Sequence, residues 1–351
     1  MDLSNINFSK SFTSDNNSGV LPEVMEILSQ INQGHLPAYG REGITQLAVD
    51  RIKDTFSSRD AEVYFVFNGT AANVCALQAM SRSFHSVLCS SDAHIHVDEC
   101  GSPEKIAGLK VLNVDCQDAK LKPEHIDQFF VRRGDPHCSQ LKIVSLTQPT
   151  EIGTLYSIEE LKSLVKKAHD NDLYVHMDGS RLVNAAIALG CSLADLSSKI
   201  GIDILCFGGT KNGLMLGEAI IIFNKELQDH FAFIQKQNLQ LAGKMRFVSA
   251  PFFAWLEDGV WQKYAKNALD RAQELEAVLR EFPQIQVTRK SEVNSVFAII
   301  PKKHLKAIRK KFYFYVWNEK TYECRLMTSF DTTKQDIQNF KKHLQEILTH
   351  K

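Results

Sequence analysis

Lys211 lies in "CFGGTKNGLML" (residues 206–216), surrounded by small and apolar residues, and the nearest basic residues on either side are Lys199 and Lys225. Such a setting strips hydration from the ammonium and disfavours its charged form, which leaves an amine able to react with a carbonyl. The plainer alternative is a lysine that covers the end of a sheet and reaches out to water. A second segment, "VHMDGSRLVNA", puts Asp178 and Arg181 three positions apart at the end of a strand-like run. A carboxylate there can keep a ring nitrogen protonated, and a guanidinium can grip a carboxylate with two parallel hydrogen bonds. An Asp-Gly turn followed by a surface arginine is the other reading. In "FVFNGTAAN" a strand runs into Gly69 and Thr70 and a helix then begins. Unpaired N–H groups and the helix dipole make such a junction a cradle for phosphate, although a small-residue turn needs no ligand. Finally, His94 and His96 in "SDAHIHVDECGSPE" alternate as they would along a strand and so point to opposite faces, which argues against a shared metal. One of these imidazoles is then left to stack on a flat ligand or to hydrogen-bond near the core.

Taken together, these segments supply an amine for an aldehyde, a carboxylate for a pyridine nitrogen and backbone donors for a phosphate. Pyridoxal 5′-phosphate has those three handles. The conjunction is far more specific than any one segment. A dinucleotide-binding oxidoreductase is disfavoured, because "FNGTAAN" lacks the GxGxxG pattern. The formal net charge of +0 and a pI near 7.2 give no electrostatic case for nucleic acid or an anionic membrane. No apolar run is long enough to span a bilayer, and the start of the chain lacks the pattern of a secretory signal. The eight cysteines are scattered without a CxxC pair, as expected in a reducing cytoplasm.

The elements that must position these groups follow from the hydrophobic pattern. Between about residues 60 and 225, short apolar runs ("EVYFVF", "SVLCSS", "GLKVLNV", "LKIVSLT", "LYVHMD", "IDILCF", "EAIIIFN") alternate with helical segments. One of the latter, "SIEELKSLVKKAHDND", has Ser157 as N-cap with Glu160 as its capping-box partner. This alternation predicts an α/β domain with a mostly parallel sheet, and ligands then bind beyond the carboxyl ends of the strands. After residue 225 a long helix, the strands "SVFAII" and "ECRLMTS", aromatic "KFYFYVW" and a closing helix predict a smaller α+β domain. The expected division is an N-terminal segment 1–15, a large domain 16–248 and a small domain 249–351.

In the order and spacing of "AYGRE", "NGTAAN", "AHIHVDECGSPEK", "HMDGSRLVNA", "GGTKNG" and "LAGKMRFVSAP", the chain resembles the fold-type I pyridoxal-phosphate enzymes. Among them it is most similar to the low-specificity L-threonine aldolases of the β-eliminating lyase group. The resemblance implies a transferase-like large domain and cleavage of β-hydroxy amino acids to glycine and an aldehyde. It also implies Lys211 as the Schiff-base lysine, Asp178 as partner of the ring nitrogen, and His94 stacked on the ring and involved in proton transfer. Gly69 and Thr70 would hold the phosphate, with help from Arg246 of a neighbouring subunit. Ser14, Arg181 and Arg325 would bind the substrate carboxylate, and Tyr39 would approach across a subunit interface of a cytoplasmic homotetramer. Many such aldolases carry a histidine facing the substrate hydroxyl in the loop written here "LTQPTEIGT", where this chain has Gln148, Pro149 and Thr150. What meets the hydroxyl is therefore open, as is the preference between threonine and allo-threonine. Two alternatives remain at this stage: another pyridoxal-phosphate lyase or racemase reaction, and a catalytically silent binding protein with the same fold.

Overall fold

A computed structural model describes residues 9–348. The chain forms two compact units, one of residues 20–262 and the other of residues up to 19 together with those from 263 onward. The boundaries therefore fall at 19/20 and 262/263, not at the 15/16 and 248/249 drawn from the sequence. The displacement at the second boundary has a local cause. Helix Arg246–Trp255 buries Val248, Ser249, Ala250, Pro251, Phe252 and Trp255, and it packs on helix Gly43–Thr55 of the larger unit.

The larger unit is built on a seven-stranded sheet. Its strands are β1 (Glu62–Val66), β2 (His85–Ser90), β3 (Lys110–Val114), β4 (Gln140–Thr147), β5 (Tyr174–Gly179), β6 (Ile204–Gly208) and β7 (Glu218–Ile222). Their order across the sheet is β1-β7-β6-β5-β4-β2-β3. All neighbours are parallel except β7, which runs antiparallel to both β1 and β6. The reversal matters for chemistry. It leaves β1 pointing the same way as the parallel strands and brings the first residue of β7, Glu218, to the edge where the others end. Glu218 is registered with Gly208 on one side and Val66 on the other.

The central strands read as continuous apolar runs because both of their faces are covered; β6 and β7 are buried along their whole length. Helix Gly69–Ala79, which packs on β6 and β7, buries six consecutive residues, Ala72 to Leu77, and so has no solvated stripe there. Helix Ile158–His169, in contrast, buries only Leu161, Leu164, Val165 and Ala168. Its predicted capping box is present: Glu160 N–H donates to Ser157 Oγ at 3.1 Å, and Ser157 N–H donates to Glu160 Oε2 at 2.7 Å.

The smaller unit has an antiparallel four-stranded sheet in the order β10-β11-β9-β8. These strands are β8 (Gln286–Val287), β9 (Ser295–Ile299), β10 (Tyr315–Asn318) and β11 (Glu323–Met327). Helix Lys334–Leu348 buries Ile337, Phe340, Leu344 and Leu348 in the same apolar cluster as Val296, Ala298 and Leu326. The aromatic run "KFYFYVW" is only partly strand; Phe312 and Phe314 enter the core ahead of β10.

Candidate active site

The carboxyl ends of β4, β5 and β6 and the amino end of β7 converge in the larger unit. Asp178, next to last in β5, is registered between Thr147 of β4 and Cys206 of β6 and is 5% exposed. Its Oδ1 accepts the Ser180 N–H at 2.9 Å, and its Oδ2 accepts from Asn73 Nδ2 at 3.0 Å. Burial would push this carboxyl up. The charge of Lys211, the Asn73 amide, the Ser180 N–H and the charge of His94 more than offset that and hold it at about 2. Asp178 is thus a buried carboxylate that stays ionised.

Lys211 occupies the short turn Thr210–Asn212, just past β6. The turn is tied down on three sides. Gly209 N–H donates to Glu218 Oε2 at 2.6 Å, Gly217 N–H donates to Thr210 Oγ1 at 3.1 Å, and Asn212 Nδ2 donates to the carbonyls of Gly208 and Ser180 at 2.8 and 3.0 Å. The charge of Lys211 is felt by Asp178, His94 and Glu218 alike. The lysine therefore lies within electrostatic reach of the cluster. Glycine is required at 208, since a Cβ there would lie 2.3 Å from the Ser180 carbonyl oxygen. Gly213 closes the turn at φ 100° against Leu21.

His94 does not lie on a strand. His94–Val97 is a single helical turn, so the expected alternation of His94 and His96 on opposite strand faces is overturned. The reason is tertiary: the Glu151 carboxylate accepts the His94 N–H at 2.8 Å at the opening of the turn, and Ile95 packs into the core. A four-residue apolar–polar pattern cannot compete with such contacts. His94 Nδ1 lies 2.8 Å from Glu99 Oε1, which also accepts from Asn73 Nδ2 at 2.7 Å. The Glu99 hydrogen bond raises the His94 pKa, against burial, and Asp178 adds to the effect. His94, Glu99, Asn73 and Asp178 form one continuous network.

Gly69 and Thr70 open helix Gly69–Ala79, capped by Asn68 Oδ1, which accepts the Ala71 N–H at 2.9 Å. The first N–H groups of a helix have no acceptor within it. A Cβ on Gly69 would meet Ser180 Oγ at 3.9 Å, so this junction adjoins the segment just after Asp178. Arg181 is the N-cap of helix Leu182–Leu189 on that same segment.

Of the remaining predicted residues, two are in the larger unit and two in the smaller one. Tyr39 and Arg246 belong to a second cluster of the larger unit. Tyr39 N–H donates to the Gly243 carbonyl at 3.2 Å, and Arg246 N–H donates to Glu42 Oε1 at 3.2 Å. Tyr39 is 54% exposed, and Arg246 Nε is buried with no hydrogen-bond partner among the described residues. Ser14 and Arg325 are in the smaller unit. Ser14 Oγ accepts the Asn16 N–H at 3.2 Å, and the Arg325 guanidinium lies 4.6 Å from the Trp317 ring.

Four groups of the cluster were not singled out as partners there from the sequence. Asn73 is the one amide within the buried stretch of an apolar helix, and Glu218 is a lone acid opening an all-aliphatic strand; both are signals of a polar task. Glu99 and Glu151 carry no such signal, since each lies in a polar, loop-like stretch of the sequence. Burial pushes both Glu151 and Glu218 up to about 7, against their hydrogen bonds.

A family model described as "Beta-eliminating lyase" matches residues 11–303. The chain belongs to the β-eliminating lyase family. This lyase is 40% identical to the low specificity L-threonine aldolase of a Pseudomonas species (strain NCIMB 10558), over 97% of its own chain and 99% of that one. It is also 40% identical to a low specificity L-threonine aldolase of Pseudomonas aeruginosa, over 96% and 97% of the two chains. Its structure matches that of Leishmania major threonine aldolase with a TM-score of 0.91 at 27% identity, covering 97% and 99%. The lyase has the fold of the fold-type I enzymes and depends on pyridoxal 5′-phosphate. The residues present fit that cofactor. A buried carboxylate held ionised suits a pyridinium nitrogen, a lysine lies within electrostatic reach of it, and helix-opening donors adjoin it. Polar atoms of Asn73 (Oδ1), Glu99 (Oε2) and Glu151 (Oε2) remain buried without partners among the described residues. No helix among those residues is long and apolar enough to cross a membrane.

Proposed function

We propose that this lyase cleaves L-threonine, L-allo-threonine and related β-hydroxy amino acids to glycine and an aldehyde. The observation that carries the reading is the meeting of Lys211 and the ionised, buried Asp178 at neighbouring strand ends. The cofactor, when bound, supplies an electron sink for the pair released at Cα.

In this reading Lys211 is the residue to which the cofactor is joined. Asp178, oriented beforehand by Asn73 and Ser180, keeps the ring nitrogen protonated, an electrostatic effect in place before the reaction begins. His94, anchored through Glu99, would be the residue that contacts the ring. The N–H groups of Gly69 and Thr70 hold the phosphate, with Arg246 contributed by a neighbouring subunit and Tyr39 approaching from that side. Ser14, Arg181 and Arg325 grip the substrate carboxylate, which selects the bond at Cα that breaks. The assembly is a homotetramer working in the cytoplasm.

The test is a product assay with each diastereomer of threonine. Equimolar glycine and acetaldehyde are expected. Release of ammonia in place of acetaldehyde would assign a different lyase reaction to the same site.

A further inference from the structure

Cleavage of a β-hydroxy amino acid needs an acceptor for the hydroxyl proton, and the cluster offers few. Both oxygens of Asp178 are engaged, and the carboxyl is held at about 2, which makes it a weak base. His94 has its Nδ1 engaged by Glu99 Oε1 at 2.8 Å, a contact that raises its pKa and favours the protonated ring. Glu99 also keeps one oxygen, Oε2, without a partner among the described residues, but its side chain is fully enclosed and its Oε1 anchors both His94 and Asn73. Glu218 is bound to the Gly209 N–H behind the lysine turn.

Glu151 is different. It follows β4 by four residues, on the strand-end side where Asp178 lies, close enough for the two charges to repel. Its Oε1 accepts from the His94 N–H at 2.8 Å and from Thr147 Oγ1 at 2.9 Å. Its Oε2 is sealed from solvent and has no partner among the described residues, although the residue as a whole is only half-buried. One oxygen is therefore pinned and the other is held ready. We propose that Glu151 Oε2 accepts the β-hydroxyl proton of the substrate. This rests on the threonine-cleaving reading above.

The step balances within the substrate. As the O–H bond breaks, its electron pair becomes the second C–O bond of the aldehyde, and the Cα–Cβ pair passes to Cα. The proton received by Glu151 equals the one Cα must gain to become glycine, so no co-reactant is required. The ionisable groups around Glu151 are Asp178, His94, Cys89 and Tyr156. Burial lifts Cys89 and Tyr156 further above the neutral range and brings Glu151 to about 7, the range in which a base both holds and releases a proton.

The experiment uses Glu151→Gln holoenzyme, because Gln preserves the acceptor for His94 and Thr147. Three quantities are read: acetaldehyde released from L-threonine, exchange of the glycine α-hydrogen in D2O, and cofactor affinity from tryptophan quenching. Glycine has no β-hydroxyl, so its exchange bypasses the proposed step. The expected result is a loss of about 100-fold or more in kcat/KM for threonine. Glycine exchange and cofactor affinity are expected to stay within about 3-fold of wild type, since neither engages the proposed base. Threonine cleavage within about 3-fold of wild type would overturn the assignment and leave Glu151 as a cap of the His94 turn. Equal loss of cleavage and exchange would also overturn it, placing the carboxylate with the cofactor or the fold. Wild-type protein that performs neither reaction would instead sink the threonine-cleaving reading, and this step with it.

Discussion

At the scale of single residues, the site is a set of buried charges whose environments drive them apart. Asp178 is held ionised by two hydrogen bonds and nearby positive charge, whereas Glu218, equally enclosed, is pushed up to about 7. The sign of the pH effect follows. Between about 4.5 and 7 the folded chain keeps a proton on Glu218 that the unfolded chain has released. That contribution is fully present below 4.5 and is lost as pH rises through 7. Above it, folding buries a carboxylate at a cost on the order of 3 kcal/mol. Glu218→Gln removes the titration while keeping an acceptor for the Gly209 N–H. Urea unfolding is expected to show the variant gaining stability over wild type at pH 8 relative to pH 5. The same difference at both pH values would mean that Glu218 is ionised throughout.

At the scale of elements, one reversed strand and one close approach assemble the site. Strand β7 delivers Glu218 to the end of β6, and the Ser180 backbone sits where a Cβ at position 208 would be. Backbone atoms on both sides leave little room for relaxation, so Gly208→Ala is expected to destabilise the protein by about 3 kcal/mol. Gly69→Ala is the internal control. Its Cβ would meet only Ser180 Oγ at 3.9 Å, and stability should change by less than about 0.5 kcal/mol. Equal effects of the two substitutions in urea unfolding would contradict the packing described. Much at this scale was legible from the sequence. The strand runs, the Ser157 capping box and the strand-to-helix junction at Gly69 are local signals carried by periodicity and cap chemistry. The His94 turn was not legible, because what makes it helical is a carboxylate 57 positions away, Glu151, which accepts the His94 N–H. The direction of β7 was equally hidden: an apolar run buried on both faces reads the same either way.

At the scale of the whole molecule, residues from 69 to 218 meet at one edge of a sheet, as the α/β reading required. Asp178, Lys211 and the Gly69 junction stand out in the sequence because each carries a distinctive chemistry at a strand end. Asn73, Glu99 and Glu151 were harder to find. Their importance lies in pairing, Asn73 with Glu99 and Asp178, and Glu151 with His94 and Thr147, and a buried polar residue shows its partner only after folding. Helix Arg246–Trp255 packs with the larger unit, which continues to residue 262. The central claim, that Lys211 carries the cofactor beside Asp178, is tested most directly by treating the cofactor-loaded protein with borohydride and mapping its peptides by mass. The account predicts a single pyridoxyl-modified lysine at position 211, absent from Lys211→Arg protein. A label on another lysine, or none at all in protein that cleaves threonine, would contradict it.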